Sequence, residues 1–313
     1  MASVDRNQPK RAESSQSKYS LMEFMREFPD DAACLQWLWR TRCSEDGEHA
    51  ECPKCERTRK FHKVADRPAW DCDSCGHHMH PLAGTIFHKS STSLHLWFYA
   101  MFLISQTRCG VSAKQLEREL GVTYKTAWRM FNLIRNQLMA DGDEPLQGEV
   151  EIDETAGGGR VRASDTRKGR EHVRAKMNAR PTIWGAIERG GQVRAKVVQS
   201  RGAGDLEEAI HTHVLPSSVI FTDEWKGYNT ERLSRRYATH HRIRHADRIY
   251  VDGDIHTNTI EGFFGLAKNG IRGVYHAVSA KWLQGYLNEY AWRYNRRFDR
   301  EPMFAQLLER AAH

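Results

Sequence analysis

The chain has 313 residues, with 47 Lys and Arg against 40 Asp and Glu, a formal net charge of +7 and a mean hydropathy of −0.69. A composition 28% charged and 40% hydrophobic describes a soluble protein long enough for roughly two or three cored domains. No apolar run approaches the about 20 residues that span a bilayer. Seven cysteines, an odd number, exclude a fully paired disulfide scaffold and fit a reducing cytoplasm.

Residues 1–18 are polar, lack the apolar stretch of a secretory signal and read as a disordered tail. The spacing of Ala32, Ala33, Leu35, Trp37 and Leu38 predicts a helix that Asp30 or Asp31 caps. A turn-rich, cysteine-bearing stretch follows over 44–81. Helical periodicity returns over 93–139, broken at Cys109-Gly110 and at Gly121. The run DGDEPLQG (141–148) has the composition of a linker and marks the main boundary. Beyond it, EVEIDE alternates as a strand, a Gly- and Arg-rich insertion occupies 155–180, and IWGAIER and VRAKVVQ join at Gly190-Gly191 as a hairpin. A helix near 204–214, the strand SVIFTDEW and helices over 258–267 and 280–295 complete an α/β texture. The expected domains are 19–88 (helix and ribbon), 89–140 (helical), 148–300 (catalytic) and a tail helix over 301–313.

Cys52-Pro-Lys-Cys55 and Cys72-Asp-Ser-Cys75 are two CxxC turns separated by sixteen residues. Two thiolates on each tight turn grip one ion, and two turns complete a tetrahedron, the pattern of a structural zinc ribbon. Phe61, Val64 and Trp70 between them suit short strands. His77, His78 or His80 is an alternative to one thiolate, and four buried free thiols are the metal-free alternative. Cys34, Cys43 and Cys109 fall outside the pattern and are expected to pack as small apolar groups.

GVSAKQLERELGVTYKTAWRM reads as helix, turn at Gly121-Val122, and helix. Leu116, Leu120, Val122, Ala127 and Met130 supply inner contacts, Thr123 a cap, and Tyr124, Lys125 and Arg129 an outward face suited to a DNA groove. Glu117 falls near the position where such a motif often has Ala, and an ordinary helical hairpin is the alternative.

Three acids stand at element ends: Asp153 in EVEIDET, Asp223 closing VIFTDEW, and Glu261 opening TNTIEGFFGLAKNGIRG. Carboxylates converging at one sheet edge can hold two magnesium or manganese ions for an in-line phosphoryl displacement. Lys268, seven residues after Glu261, returns to the same helix face and offers an ammonium to a phosphate. Glu151, Glu154 and Glu224 flank these positions as solvated neighbours or substitutes.

These motifs, together with PLAGTIFHKS and HTNTIEGFFGLAKNGIRGVYH, resemble bacterial insertion-sequence transposases of the zinc-ribbon DDE type, relatives of the Merlin superfamily, over about residues 28–295. The resemblance implies a multidomain α+β protein: a zinc ribbon and helix-turn-helix region followed by a ribonuclease-H-like α/β core. It also implies one structural zinc, two magnesium ions, and cut-and-join chemistry on DNA. Carried over, Asp153 and Asp223 are the first two catalytic acids, Glu261 or Asn258 the third ligand, and Lys268 the basic residue; His256 stands nearby.

Segment 159–180 carries eight Lys or Arg against two acids, and 234–250 carries five Arg, three His and one Asp. Arg167, Lys168, Arg170, Arg242, Arg244 and Lys268 are therefore expected to meet phosphates, with salt-sensitive affinity. Trp225 and Tyr228 are candidates for stacking on an unpaired base, or for the core. The expected partners are double-stranded DNA (terminal inverted repeats and target) and a second copy of the chain, with no membrane and a cytoplasmic, nucleoid-associated location. A non-catalytic DNA-binding relative and a structure-specific nuclease are the rival readings.

Overall fold

A computed structural model describes residues 19–107, 109–142, 144–157, 163–228, 230–243 and 256–313. Its contacts divide into two units, Met1–Leu138 with Arg297–His313, and Met139–Arg296. No helix among the described residues is long and apolar enough to cross a membrane.

The first unit opens with α1 (Leu21–Glu27), started by a reciprocal capping box between Ser20 and Glu23. In α2 (Asp31–Arg42) the Asp30 carboxylate accepts from Ala33 N at 2.8 Å. The inward stripe of α2 is Cys34, Leu35, Leu38 and Trp39, while Ala32 is exposed. The predicted helix is therefore rotated, because the two indole-sized residues compete for the core and Trp39 takes it.

Strands β1 (His49–Cys52), β2 (Arg57–Lys63), β3 (Trp70–Cys72) and β4 (His78–Met79) form an antiparallel sheet in sequence order. Trp70 of β3 stacks on Trp39 at 4.5 Å and Phe61 of β2 tilts against it at 5.6 Å, so the little sheet leans on α2 through two aromatic pairs. The apolar α3 (Leu94–Gln106) follows. Asp31 Oδ1 accepts from Ser93 Oγ and from His95 N, tying α2 to the start of α3.

Helices α4 (Ala113–Leu120) and α5 (Tyr124–Leu133) are joined through Gly121 at φ +64°, and Thr123 caps α5 by accepting from Thr126 N at 3.3 Å. Leu116, Leu120, Ala127 and Met130 are buried, whereas Val122 is only half-buried.

In the second unit, β5 (Glu149–Ala156) is followed by the insertion helices α6 (Ala163–Arg167) and α7 (Arg170–Asn178). Next come the hairpin β6 (Thr182–Glu188) and β7 (Val193–Val198), then α8 (Ala203–His213), β8 (Val219–Thr222), α9 (Thr230–Arg236), β9 (Thr239–Arg242), α10 (Asn258–Gly270) and α11 (Ala280–Asn295).

The sheet order is β7-β6-β5-β8-β9, antiparallel from β5 through β7 and parallel from β5 through β9. Alternation divides the sheet into two faces. Val150, Ile152, Trp184 and Ala186 pack with Leu206, Ile210 and Leu233 of α8 and α9. Ile183 and Ile187 pack with Ile260, Phe264 and Leu287 of α10 and α11.

Gly185 sits opposite Asp153 in the ladder. A Cβ there would lie 2.7 Å from Phe264 Cζ, so glycine is what lets α10 lie close on the sheet. Leu146, within the linker-like run, is buried and bridges to Val214.

The last helix, α12 (Met303–Ala312), belongs to the first unit rather than forming a free tail. Phe304 meets Phe24, Phe28 and Phe102 at 5.6–6.0 Å between ring centroids.

Candidate functional site

In β5, Glu151, Asp153 and Thr155 share the α10 face of the sheet, while Glu154 points to the opposite layer. Asp223 follows the last residue of β8, the neighbouring parallel strand. Carboxylate oxygens of Asp153, Glu154 and Asp223 lie within 4.8 Å of one another. Asp153 Oδ1 accepts from Glu154 N at 2.7 Å, and Asp223 Oδ1 accepts from Trp225 N at 2.9 Å.

Burial, then the Glu154, Asp223 and Glu261 charges, push the Asp153 carboxyl up to about 7, although the Glu154 amide opposes the shift. A set of hard oxygen donors that repel one another, and that remain partly open, suits a divalent cation.

Glu154 is buried rather than solvated. Tyr228 Oη donates to its Oε2 at 2.6 Å, and Arg201 approaches Oε1 at 3.3 Å. Tyr228 is wholly buried by this contact, so it belongs to the core and not to an exposed stacking platform. Trp225 is exposed, and Arg201 lies 5.5 Å from its ring. Glu224, by contrast, contributes a backbone carbonyl that accepts from Arg242 at 2.6 Å.

Glu151 is neither a solvated neighbour nor a member of the acid group. It is fully buried and accepts from Thr259 N (2.8 Å), Thr259 Oγ1 (2.9 Å) and Ile260 N (3.2 Å). Those amides begin α10, whose N-cap Thr257 makes no side-chain cap of its own, so a carboxylate from β5 caps the helix. Arg189 Nε at 2.9 Å and His256 Nδ1 at 3.1 Å complete its surroundings.

This anchor fixes the start of α10, and with it Asn258 and Glu261. Glu261 is exposed, accepts from Thr257 Oγ1 at 3.3 Å and lies outside the close group of three. Two turns on, Lys268 Nζ donates to Thr155 Oγ1, two residues along β5 from Asp153. Burial and the Arg272 charge lower the Lys268 pKa, and Asp153 opposes that shift.

The four ribbon cysteines also converge, with their Sγ atoms within 4.8 Å of one another. Cys52 and Cys75 are 3.7 Å apart, and Cys55 and Cys72 are 4.0 Å apart. A tetrahedral zinc with bonds of about 2.3 Å has sulfur–sulfur edges of about 3.8 Å, so the thiols are spaced for that ion without a histidine. Of the other cysteines only Cys34 is buried; Cys43 is half-buried and Cys109 exposed.

Tyr124, Lys125 and Arg129 are exposed on α5, Arg167, Lys168 and Arg170 on the insertion, and Arg242 on β9. Arg244 lies outside the described residues. Sequence reasoning missed Arg201, which no motif marks. It left the role of Glu151 open, although that residue's position two before Asp153 already placed both on one strand face.

The family model described as the ISXO2-like transposase domain matches residues 145–295, which span this acid group. A protein of Halobacterium salinarum described as an "uncharacterized protein in transposable element ISH50" is 28% identical over 272 residues, covering 77% of this chain and 84% of its own length. Over residues 145–295 the chain is thus similar to the ISXO2-like transposase domain, and over most of its length to a transposable-element protein, two likenesses that support an insertion-sequence transposase of this kind.

Proposed function

We propose that the chain binds the terminal inverted repeats of an insertion sequence, cleaves a DNA strand to free a 3′-hydroxyl, and joins that hydroxyl to target DNA. The observation that carries this reading is the convergence of Asp153, inside β5, with Asp223, just past the end of the neighbouring β8. The mixed five-stranded sheet with helices on both faces supports the ribonuclease-H-like core that the resemblance implies.

Asp153, Asp223 and Glu261 are the residues that would hold two magnesium or manganese ions. When bound, such ions activate the attacking oxygen and neutralise charge on the leaving one. Glu261 is preferred to Glu154 as third acid. Among the described residues Glu261 forms no ion pair, whereas Glu154 is engaged by Tyr228 and Arg201. Asn258, one turn before Glu261, offers a neutral carbonyl or a DNA contact. Lys268, which donates to Thr155 two residues from Asp153, would neutralise a phosphate there.

Four thiols spaced for zinc would hold the ribbon together. The α4–α5 pair would enter a groove through Tyr124, Lys125 and Arg129, in the manner of a helix-turn-helix. Arg167, Lys168, Arg170 and Arg242 would bear on phosphates, and two copies would bring two ends together.

Magnesium-dependent nicking of repeat-ended DNA tests the reading. Asp223→Asn and Glu261→Gln are each expected to lower it more than about hundredfold, because several kcal/mol of charge stabilisation are lost at about 1.4 kcal/mol per decade. Glu154→Gln should instead lower stability. Strand joining that survives Asp223→Asn refutes the mechanism.

A further inference from the structure

Beside the acid group, on the α10 face of the sheet, lies a cavity of about 880 Å³ walled by β5, the end of α7, α10 and the segment that follows α10. Its contents divide by chemistry. Lys268, Arg272 and Arg180 bring positive charge, while Ile183, Val278 and Leu283 form an apolar wall.

The rim is also irregular in backbone. A π-helical turn, Ile271–Tyr275, interrupts the end of α10, and His276 follows it at φ +60°, a conformation that costs a non-glycine residue energy. Such irregularities persist where the surrounding structure holds them for a purpose, and both of these border the cavity.

We propose that this cavity receives a single unpaired nucleotide of the DNA strand whose cleaved phosphate lies at Asp153 and Asp223. The proposal deepens the transposase reading and rests on it. Three features favour this occupant. The volume falls in the range of about 300–1,000 Å³ typical of clefts for small molecules. It is too confined for a duplex, whose major groove alone is about 12 Å wide. A free inorganic anion would satisfy the cations but leave the apolar wall wet, whereas a nucleotide matches both its phosphate and the face of its base to the lining.

Position agrees with this. Thr155, which lines the cavity, is two residues from Asp153 on one strand face, or about 7 Å along β5. A strand leaving the acids along β5 therefore passes Lys268 and Arg272 next.

The test measures binding of the full-length protein, without divalent cations, to a short blunt duplex and to the same duplex bearing one unpaired terminal 2-aminopurine nucleotide. The tailed duplex is expected to bind about tenfold more tightly, in line with the gain from one base packed on a protein surface. The 2-aminopurine fluorescence should change on binding. Free deoxynucleoside monophosphate should compete for the difference where inorganic phosphate does not.

Ala277→Trp, at the exposed mouth, should bring the tailed-to-blunt ratio close to one, and so should Arg272→Gln, which leaves the packing intact. A wild-type ratio of one, with blunt repeat-ended DNA still bound and nicked, overturns the cavity's role and leaves the transposase reading standing. A tenfold ratio that survives both variants also overturns it. No binding to either duplex overturns both readings.

Discussion

Replacing Asp153 by Asn removes one charge from a crowded set of carboxylates while keeping an oxygen that can accept from Glu154 N. The Asp153 carboxyl is raised from 3.8 to about 7, first by burial and then by Glu154, Asp223 and Glu261. A folded pKa above the unfolded one means that the native state binds more protons between those values. Stability is therefore lost as pH rises through that window.

A rise of that size corresponds to about 4 kcal/mol, and solvent reaching a partly exposed carboxyl reduces that to about 2 kcal/mol. In a domain of this size about 2 kcal/mol moves the melting temperature by about 4–8 °C. Asp153→Asn should thus melt higher than wild type at pH 8 in buffer free of magnesium and manganese. At pH 4, where Asp153 is already protonated, the two should nearly coincide. Adding manganese at pH 8 should reverse the order, since a cation at a hundred times its Kd stabilises the protein that binds it by about 2.7 kcal/mol. Thermal melts at the two pH values, with zinc retained, make the comparison. A variant equally displaced at both pH values, or less stable at pH 8 without manganese, refutes the account of mutual repulsion at a cation site.

Other substitutions probe the supports of the site. Glu151→Ala strips Arg189 and the first amides of α10 of their buried acceptor and should cost about 3–5 kcal/mol in urea unfolding; a loss under about 1 kcal/mol would show that the carboxylate does not anchor the helix. Gly185→Ala places a methyl 2.7 Å from Phe264 and 2.9 Å from Ile260, for an expected loss of about 1–3 kcal/mol; an unchanged urea midpoint would refute the close approach of α10. Elemental analysis should find one zinc per wild-type chain and much less in Cys72→Ser, and wild-type protein devoid of zinc would remove the metal from the ribbon.

Legibility differed from element to element for identifiable reasons. The two CxxC turns were readable because chelation by one turn is a local constraint, and the thiols do meet. The strand that holds Asp153 and the one that leads into Asp223 were readable because alternation and apolar runs are local too. The insertion helices α6 and α7 were not, because α7 buries no residue and so lacks the apolar stripe that marks a helix. The rotation of α2 was not readable either, because Trp39 is buried against Trp70 and Phe61, which lie outside the helix.

Among the acids, residue type and order along the chain were visible, but their environments were not. Glu151 became a buried helix anchor, Glu154 a partner of Tyr228 and Arg201, and Glu261 an exposed group apart from the close three. Local sequence was enough for most of the helices and core strands, the thiol turns and the supply of carboxylates, since period, capping and chelate spacing act over a few residues. Tertiary structure alone decided which carboxylate faces which neighbour, that Gly185 admits α10, and that α12 returns to the first unit. Those outcomes depend on contacts between residues about 40 to 280 positions apart, which no local pattern encodes.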